Sequence, residues 1–430
     1  MSSPAFRWRQ AFFLGLVTYS ASAAAPVFDT FVPVLLQAGH PLWANKTGLS
    51  ADGVGFALAP SVAFFIMTWD NLFNLLIHPW VGACSDRTWN RWGRRKPWIM
   101  MGVPLAALGF VLIPVARSVT MVAVAIILFN VGRAVFVPPI IAWLGDLYPA
   151  VQRSRANSAF SLVSGVAAVI VLLVSGTLFE QVGRTAPFGF TAMVLVLLII
   201  PGLLWVREPA PEPSGFASAP SVRTIFRTIL ASGQRHWMWI LLVLFFSGLG
   251  VSIADTGGSS FAVFELGMTL GDASAMRVVS VIAFILCALP SGMLATRIGR
   301  KHTVGLGLLV VMITYGVTYL FVATPMMYAA ALFLAGVGGA LVLVNILPLV
   351  FDVGDERFIG AFTGLSGVPA QLAAVVGPSV AGIIVEVVGS QRVLFLVSVV
   401  ALVVAWLLLA RLKVPPGMER LAGGLTGARP

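Results

Sequence analysis

Apolar stretches of 20 or more residues recur along the whole chain, parted by short segments that collect the Arg, Lys, Gly and Pro. In hydrocarbon every backbone N–H and C=O must be satisfied internally, and a helix needs about 20 apolar residues to cross ~30 Å. With 59% of its residues hydrophobic and 10% charged, the chain carries more apolar surface than a water-soluble fold could hide. The spacing predicts an all-α membrane protein with twelve spans. These run over 11–36, 53–83, 97–116, 120–144, 157–179 and 186–206, then 237–264, 276–295, 303–322, 327–351, 359–384 and 393–411.

The net charge of +11 is scattered among the spans and forms no continuous basic face, so topology explains it better than nucleic-acid binding. With both termini cytoplasmic, Arg7, Arg9, Arg87, Arg91, Arg94, Arg95, Lys96, Arg153, Arg155 and most later bases fall inside. Only Lys46, Arg117, Arg184, Arg277 and Arg392 fall outside. The plasma (inner) membrane is the expected location. Arg7, Arg9 and the ASA at 21–23 imitate a signal peptide, but cleavage there would leave five spans against six, and the apolar run continues to Leu36. Cys84 and Cys287 both lie in apolar segments and read as packing residues. Asn45 opens a glycosylation sequon.

Hydrophobicity collapses over 207–236, REPAPEPSGFASAPSVRTIFRTILASGQRH, which reads as a cytoplasmic linker with one interfacial helix at 221–231. The expected organisation is a six-helix half over 1–206, this linker, a second six-helix half over 237–411 and a tail over 412–430. The halves echo one another. PWVGACSDR before GRRK is matched by PSGMLATR before GRK, and Arg87 and Arg297 stand 210 residues apart. Asp146 and Asp352, Glu180 and Glu386, and Gly183 and Gly389 each stand 206 apart, which points to internal duplication.

The loop GACSDRTWNRWGRRKPW from Gly82 carries the GxxxD(R/K)xxxxxGRR pattern. Asp70-Asn71 ahead of His78-Pro79, GRAVFVPPIIAWLGDLYP leading into RSRAN, and TGLSGVPAQLAAVVGP from Thr363 stand at matching topological positions. On these motifs the chain resembles the major facilitator superfamily, in particular its glycoside-pentoside-hexuronide:cation symporters and the sucrose-transporter-like branch. The resemblance implies two pseudo-symmetric six-helix bundles, alternating access and a sugar-like substrate. It also implies a conformational latch made of Gly82, Asp86, Arg87, Gly93, Arg94 and Arg95, echoed by Arg297, Gly299 and Arg300. Gly82 would allow close helix approach. Thr296 replaces Asp86 in the second copy, so that latch is the weaker. Positive-inside anchoring accounts for part of the same charge.

Ionisable groups inside spans are the informative ones, because a charge at the bilayer centre costs ~2.5–3.5 kcal/mol on insertion scales unless paired or wetted. Asp70, Asn74 and His78 follow at i, i+4 and i+8 on one face of the second span. A carboxylate, amide and imidazole so aligned can bind and release a proton, with Asp70 as coupling group and His78 as relay. The plainer alternative makes Asp70 a structural brace and His78 a span end. Arg133, one turn after Asn130, is the buried base of the fourth span, with Asp70 or Asp29 as counter-ion, and its planar donors suit sugar hydroxyls. The family resemblance likewise implies substrate contact for an Arg in this span, and a cavity lined by the first helix of each half.

Asp29 and Asp255 form a pseudo-symmetric acid pair in those first helices. The run SIADTGGSS around Asp255, with Ser259, suits polyol recognition or a broken helix, or alternatively close helix packing. Asn345 is a further polar candidate in the second half. Glu180, Glu265, Asp272 and Glu386 read as solvated acids at outer span ends, and Asp146 and Asp352 as partners for Arg153, Arg155 or Arg357.

No nucleotide, zinc or paired-cysteine motif is present, so the expectation is no cofactor, no metal and no enzymatic activity. The expected partners are a small-molecule substrate, a sugar, with a proton; sodium is the weaker alternative because a lone carboxylate offers few hard oxygen ligands. A monomer in the lipid bilayer is expected. Two other readings stand beside sugar symport: a drug or metabolite exporter, and a non-transporting receptor or lipid- or pigment-handling protein on the same scaffold.

Overall fold

The computed structural model describes residues 8–44, 55–148, 150–206, 208, 235–353 and 359–412. The interfacial helix expected at 221–231 and the Asn45 sequon lie outside them. Among the described residues the chain is helical apart from one 3-10 turn and short links. The helices are α1 (Trp8–Gln37), α2 (Pro60–Met67), α3 (Trp69–Arg87), α4 (Lys96–Val115), α5 (Val119–Leu147), α6 (Ala150–Gln181) and α7 (Thr185–Trp205). The remainder are α8 (Arg235–Phe264), α9 (Leu270–Ile298), α10 (Arg300–Phe321), α11 (Pro325–Val353), α12 (Ile359–Val388) and α13 (Val393–Arg411). Twelve stretches among the described residues are long and apolar enough to cross a membrane, α2 and α3 together making the second. Leu289, Met326 and Val387 point outward, four-fifths exposed, as lipid-facing side chains do.

The helices form two contact units. One comprises Met1–Leu58, Trp69–Ser214 and Thr269–Val278; the other comprises Ala59–Thr68, Gly215–Met268 and Val279–Pro430. Each unit therefore contains one short helical stretch from the other half of the sequence: the opening turns of α9 in the first, and α2 in the second. In the first unit α1 packs against α6 and α7, and Ser20 Oγ donates to Leu195 O at 2.5 Å, so the segment resembling a signal peptide is an integral helix of that unit. Its core is aromatic: Phe129 lies 5.0 Å from Phe28 and 4.9 Å from Phe110, which lies 4.9 Å from Phe188.

Lipid tails give helices no hydrophobic reason to associate, so close backbone approach carries much of the packing. A Cβ on Gly132 would stand 2.4 Å from Ala106 N, and one on Gly102 2.8 Å from Gly132 O. Gly338, 206 residues after Gly132, repeats this against Gly307 O at 3.0 Å between α10 and α11. Gly132→Val is expected to cost about 1–3 kcal/mol through overpacking. Thermal unfolding in detergent checks this, against Gly316→Val, whose site has nothing within 4 Å of a new Cβ.

Two expectations change here. The second span begins at Pro60, not 53, and is broken at Thr68, whose N–H turns back to Phe65 O at 3.0 Å. The run around Asp255, conversely, does not break its helix: α8 is continuous. Gly250 and Gly257 there face Leu402 and Leu394 of α13, and Tyr328 Oη donates to Gly258 O at 3.0 Å, so the small residues serve packing.

Candidate functional site

The break at Thr68 sets Asp70 in the first turn of a new helix, where backbone N–H groups favour a carboxylate. Its Oδ1 accepts from both the backbone N and the side-chain Nδ2 of Asn71, each at 2.6 Å. The break also coincides with the boundary between contact units, which falls between Thr68 and Trp69. Asp70 therefore stands at the joint in the second span.

Helix α3 packs on α5, and the Arg133 charge acts on both Asp70 and His78. The Arg133 guanidinium carbon lies 5.6 Å over the Phe129 ring, while its Nε has no hydrogen-bond partner among the described residues. Asn130, one turn earlier and 1% exposed, has neither amide atom partnered, and His78 Nε2 is likewise buried and unpartnered. Asn74 is half-buried between Asp70 and His78 along α3. A bare buried polar group costs ~1–3 kcal/mol, so this set of donors and acceptors has capacity for a hydrophilic solute.

Asp29 is half-buried on α1 in the same unit. Asp255, Ser259 and Asn345 belong to the other unit. There Asp255 is exposed and Ser259 Oγ is buried without a partner. Asn345 is 3% exposed and returns its Nδ2 to Leu341 O of its own helix at 3.0 Å. No group of three or more His, Cys, Asp or Glu able to hold a metal ion occurs among the described residues.

The arginine-rich loop is built around Arg95, which is 3% exposed. Its Nη2 meets Asp86 Oδ1 at 2.5 Å, its Nε meets Asp146 Oδ2 at 2.9 Å and its Nη1 donates to Ser85 Oγ at 2.6 Å. Arg94 Nη2 takes the other Asp146 oxygen at 2.5 Å. Burial alone would raise the Asp146 carboxyl, but the hydrogen bonds and charges of Arg95 and Arg94 outweigh it and hold the group below its ordinary range. Arg87 is exposed, and nothing lies within 4 Å of a Cβ built on Gly82, so the close approach expected there is absent.

The second copy keeps the counterpart of the Arg94–Asp146 pair. Arg300 meets Asp352, each 206 residues after Arg94 and Asp146, and Gly299 holds φ +86° as Gly93 holds +110°. Thr296 returns its hydroxyl to Met293 O at 2.7 Å, and Lys301 donates to Ala410 O and Leu412 O. Arg297 is exposed. Thus Asp146 and Asp352 pair with the GRRK and GRK arginines of their own units, while Arg357 lies outside the described residues.

Sequence reasoning passed over Glu208. Its carboxylate caps α4, accepting from Arg94 N, from Arg95 N at 3.0 Å and from Lys96 N at 3.1 Å, and it fills the space a side chain at Gly93 would need. The available signal was an acid placed directly after the sixth span, opposite a loop rich in N–H donors at a helix start.

A family model described as MFS/sugar transport protein matches residues 18–415. Multidrug resistance protein 2 of Bacillus subtilis is 22% identical over 377 residues, covering 84% of this chain and 87% of that protein. The lactose permease of Lactobacillus helveticus is 25% identical over 259 residues, covering 53% of this chain and only 39% of that protein. An uncharacterized symporter of Synechocystis is 28% identical over 241 residues, covering 51% of this chain and 42% of that protein. Among solved structures, a nucleoside transporter superposes with TM-score 0.75 at 12% identity, covering 94% of this chain and all of that one. A bacterial homologue of the lysosomal transporter Spinster, inward-facing, gives 0.70 at 14% identity, covering 98% and 97%.

Proposed function

Because the chain belongs to the MFS/sugar transport protein family, and so is an integral membrane transporter, we propose that it is a proton-coupled symporter of a sugar or glycoside. The observation that carries this reading is the cluster in the first unit: a carboxylate at the joint of the second span, under the charge of a half-buried arginine, beside an unpartnered amide.

Asp70 is the proton carrier. In the unprotonated state Arg133 balances it; protonation releases the guanidinium to donate to substrate hydroxyls, so that proton and solute bind together. Asn130 supplies both a donor and an acceptor to the same solute, and His78 relays the proton along α3, with Asn74 between. Asp29, Asp255, Ser259 and Asn345 contact further hydroxyls. The names of the lactose permease and symporter relatives agree with this reading. The protein sits in the plasma membrane, with the GRRK loop and both termini on the cytoplasmic side, where the positive-inside rule puts them.

One observation favours a second reading. The Bacillus subtilis relative, matched over 87% of its own length, is a multidrug resistance protein, which raises export of a drug. Uptake of radiolabelled mono- and disaccharides into proteoliposomes, under an imposed proton gradient and separately a sodium gradient, distinguishes the readings. The proposal expects sugar accumulation driven by protons alone. Accumulation of no sugar, with movement of a cationic dye under the same gradient, would install the exporter in its place.

A further inference from the structure

The duplication gives every residue of the Asp70 cluster a counterpart in the second unit. From Asn74 to Arg87 each residue is buried, half-buried or exposed as the residue 210 places later is, and residues 130–134 match 336–340 in the same way. On these offsets Asp70, Asn74 and His78 of α3 correspond to Ser280, Phe284 and Ala288 of α9. Asn130 and Arg133 of α5 correspond to Gly336 and Gly339 of α11. The counterpart face carries no charge and no amide, and its one large side chain is Phe284.

Packing accounts for Gly336 but not for Gly339. A Cβ on Gly336 would lie 2.4 Å from Ser280 O and 2.8 Å from Ala283 Cβ, so α11 lies hard against α9 there. Gly338 is seated on α10, where a Cβ would meet Val311 Cγ2 at 2.6 Å. Around Gly339 nothing among the described residues comes within 4 Å of a Cβ. A glycine inside a helix costs about 0.5–1 kcal/mol against alanine, and here no close approach offsets it.

The open space lies beside the Phe284 ring. Phe284 stands one turn beyond Ser280 on α9, and Gly339 nearly one turn beyond Gly336 on α11. Successive spans alternate in direction, so the eighth and tenth run the same way, and both residues lie at one level past the Ser280–Gly336 contact. Neither faces lipid. The exposed stripe Ile282, Leu286, Leu289 and Met293 lies roughly opposite Phe284, which is half-buried, and exposed Phe333 and Leu334 stand about 120–140° around α11 from Gly339. In the first unit the place beside Asn74 carries the Arg133 side chain; in the second it is bare.

The geometry points to a sugar subsite on the second unit: the Phe284 ring stacks on the C–H face of a pyranose, and the missing side chain at Gly339 leaves the room that the pyranose occupies. The inference rests on sugar as the solute and assigns the residues that grip its ring. A pyranose fits because its hydroxyls crowd the rim, while the C–H groups of one face are apolar and suit an aromatic surface. The polar cluster of the first unit selects hydroxyls, and this face selects a closed ring.

Uptake kinetics of radiolabelled glucose, galactose, lactose and sucrose in proteoliposomes test this. Phe284→Leu keeps an apolar side chain but removes the flat face. It should raise KM about two- to tenfold for each sugar that wild type accumulates, with a smaller change in maximal rate. Phe284→Tyr, which keeps the ring, should restore most of the affinity. Gly339→Leu fills the space and should raise KM at least as far, whereas Gly316→Leu, at a glycine equally free of neighbours, should not. Wild-type KM in Phe284→Leu, or the same loss in Phe284→Tyr as in Phe284→Leu, would overturn the subsite and leave sugar transport standing. Accumulation of none of the four sugars by wild type would overturn both.

Discussion

Replacing Asp70 by asparagine is expected to abolish gradient-driven accumulation of the substrate while leaving its downhill exchange measurable. Asparagine keeps the shape of the side chain, and its carbonyl can still accept from the Asn71 amide groups, so the start of α3 should survive. What disappears is the titrating carboxylate that shares the field of Arg133 with His78. A gradient of one pH unit is worth ~1.4 kcal/mol, enough in a one-proton symport for about tenfold accumulation. In the variant the ratio should fall to one, while counterflow of labelled against unlabelled sugar persists. Accumulation to the wild-type ratio would remove Asp70 from the coupling role and leave it a brace at the span joint.

The second large effect is expected in stability. Arg95→Met removes a guanidinium that is 3% exposed and bound by Asp86, Asp146 and Ser85 at once. Asp146 keeps Arg94 but loses half its pairing, and breaking a buried charge pair from one side costs about 3–5 kcal/mol. Lys301→Met, at the equivalent point of the second copy, breaks only hydrogen bonds to two carbonyls near the end of α13 and should be nearly neutral. Thermal unfolding of the two variants in one detergent compares them directly.

The same network sets an acid dependence. The folded Asp146 carboxyl is depressed below its ordinary 3.8, so its stabilisation is complete above that value and is lost as pH falls through the lower folded one. Arg95→Met should lose less stability on acidification than wild type does. Equal stability of Arg95→Met and wild type at neutral pH would mean that the cluster is solvated anchoring and braces nothing.

These two sites differ in how far they could be read from sequence. The twelve spans are legible because an apolar run of bilayer length has few other uses. Asp70, His78, Asn130 and Arg133 stand out in the sequence because charge and amide in such a run are costly. The break at Thr68 was not legible, because SVAFFIMTWD carries neither Gly nor Pro after Ser61 and local propensity cannot register where a helix changes its packing partners.

Partners distant in sequence were also hidden. Asp146 pairs with Arg94 and Arg95, which precede it by 52 and 51 residues. Glu180 and Glu386 showed their duplication through the 206-residue offset but not their partners. A carboxylate at a span end is usually solvated, and no local signal pairs Glu180 with the Gly271 N–H or Glu386 with the Ser61 hydroxyl.

The claim at the centre of this account is that sugar and proton cross together. It is tested most directly by the pH inside proteoliposomes carrying a trapped dye, followed while mono- and disaccharides are added outside with no gradient imposed. The account predicts internal acidification on addition of at least one sugar, absent from empty liposomes and absent with Asp70→Asn. Sugar entry measured in the same vesicles with no movement of protons would contradict it.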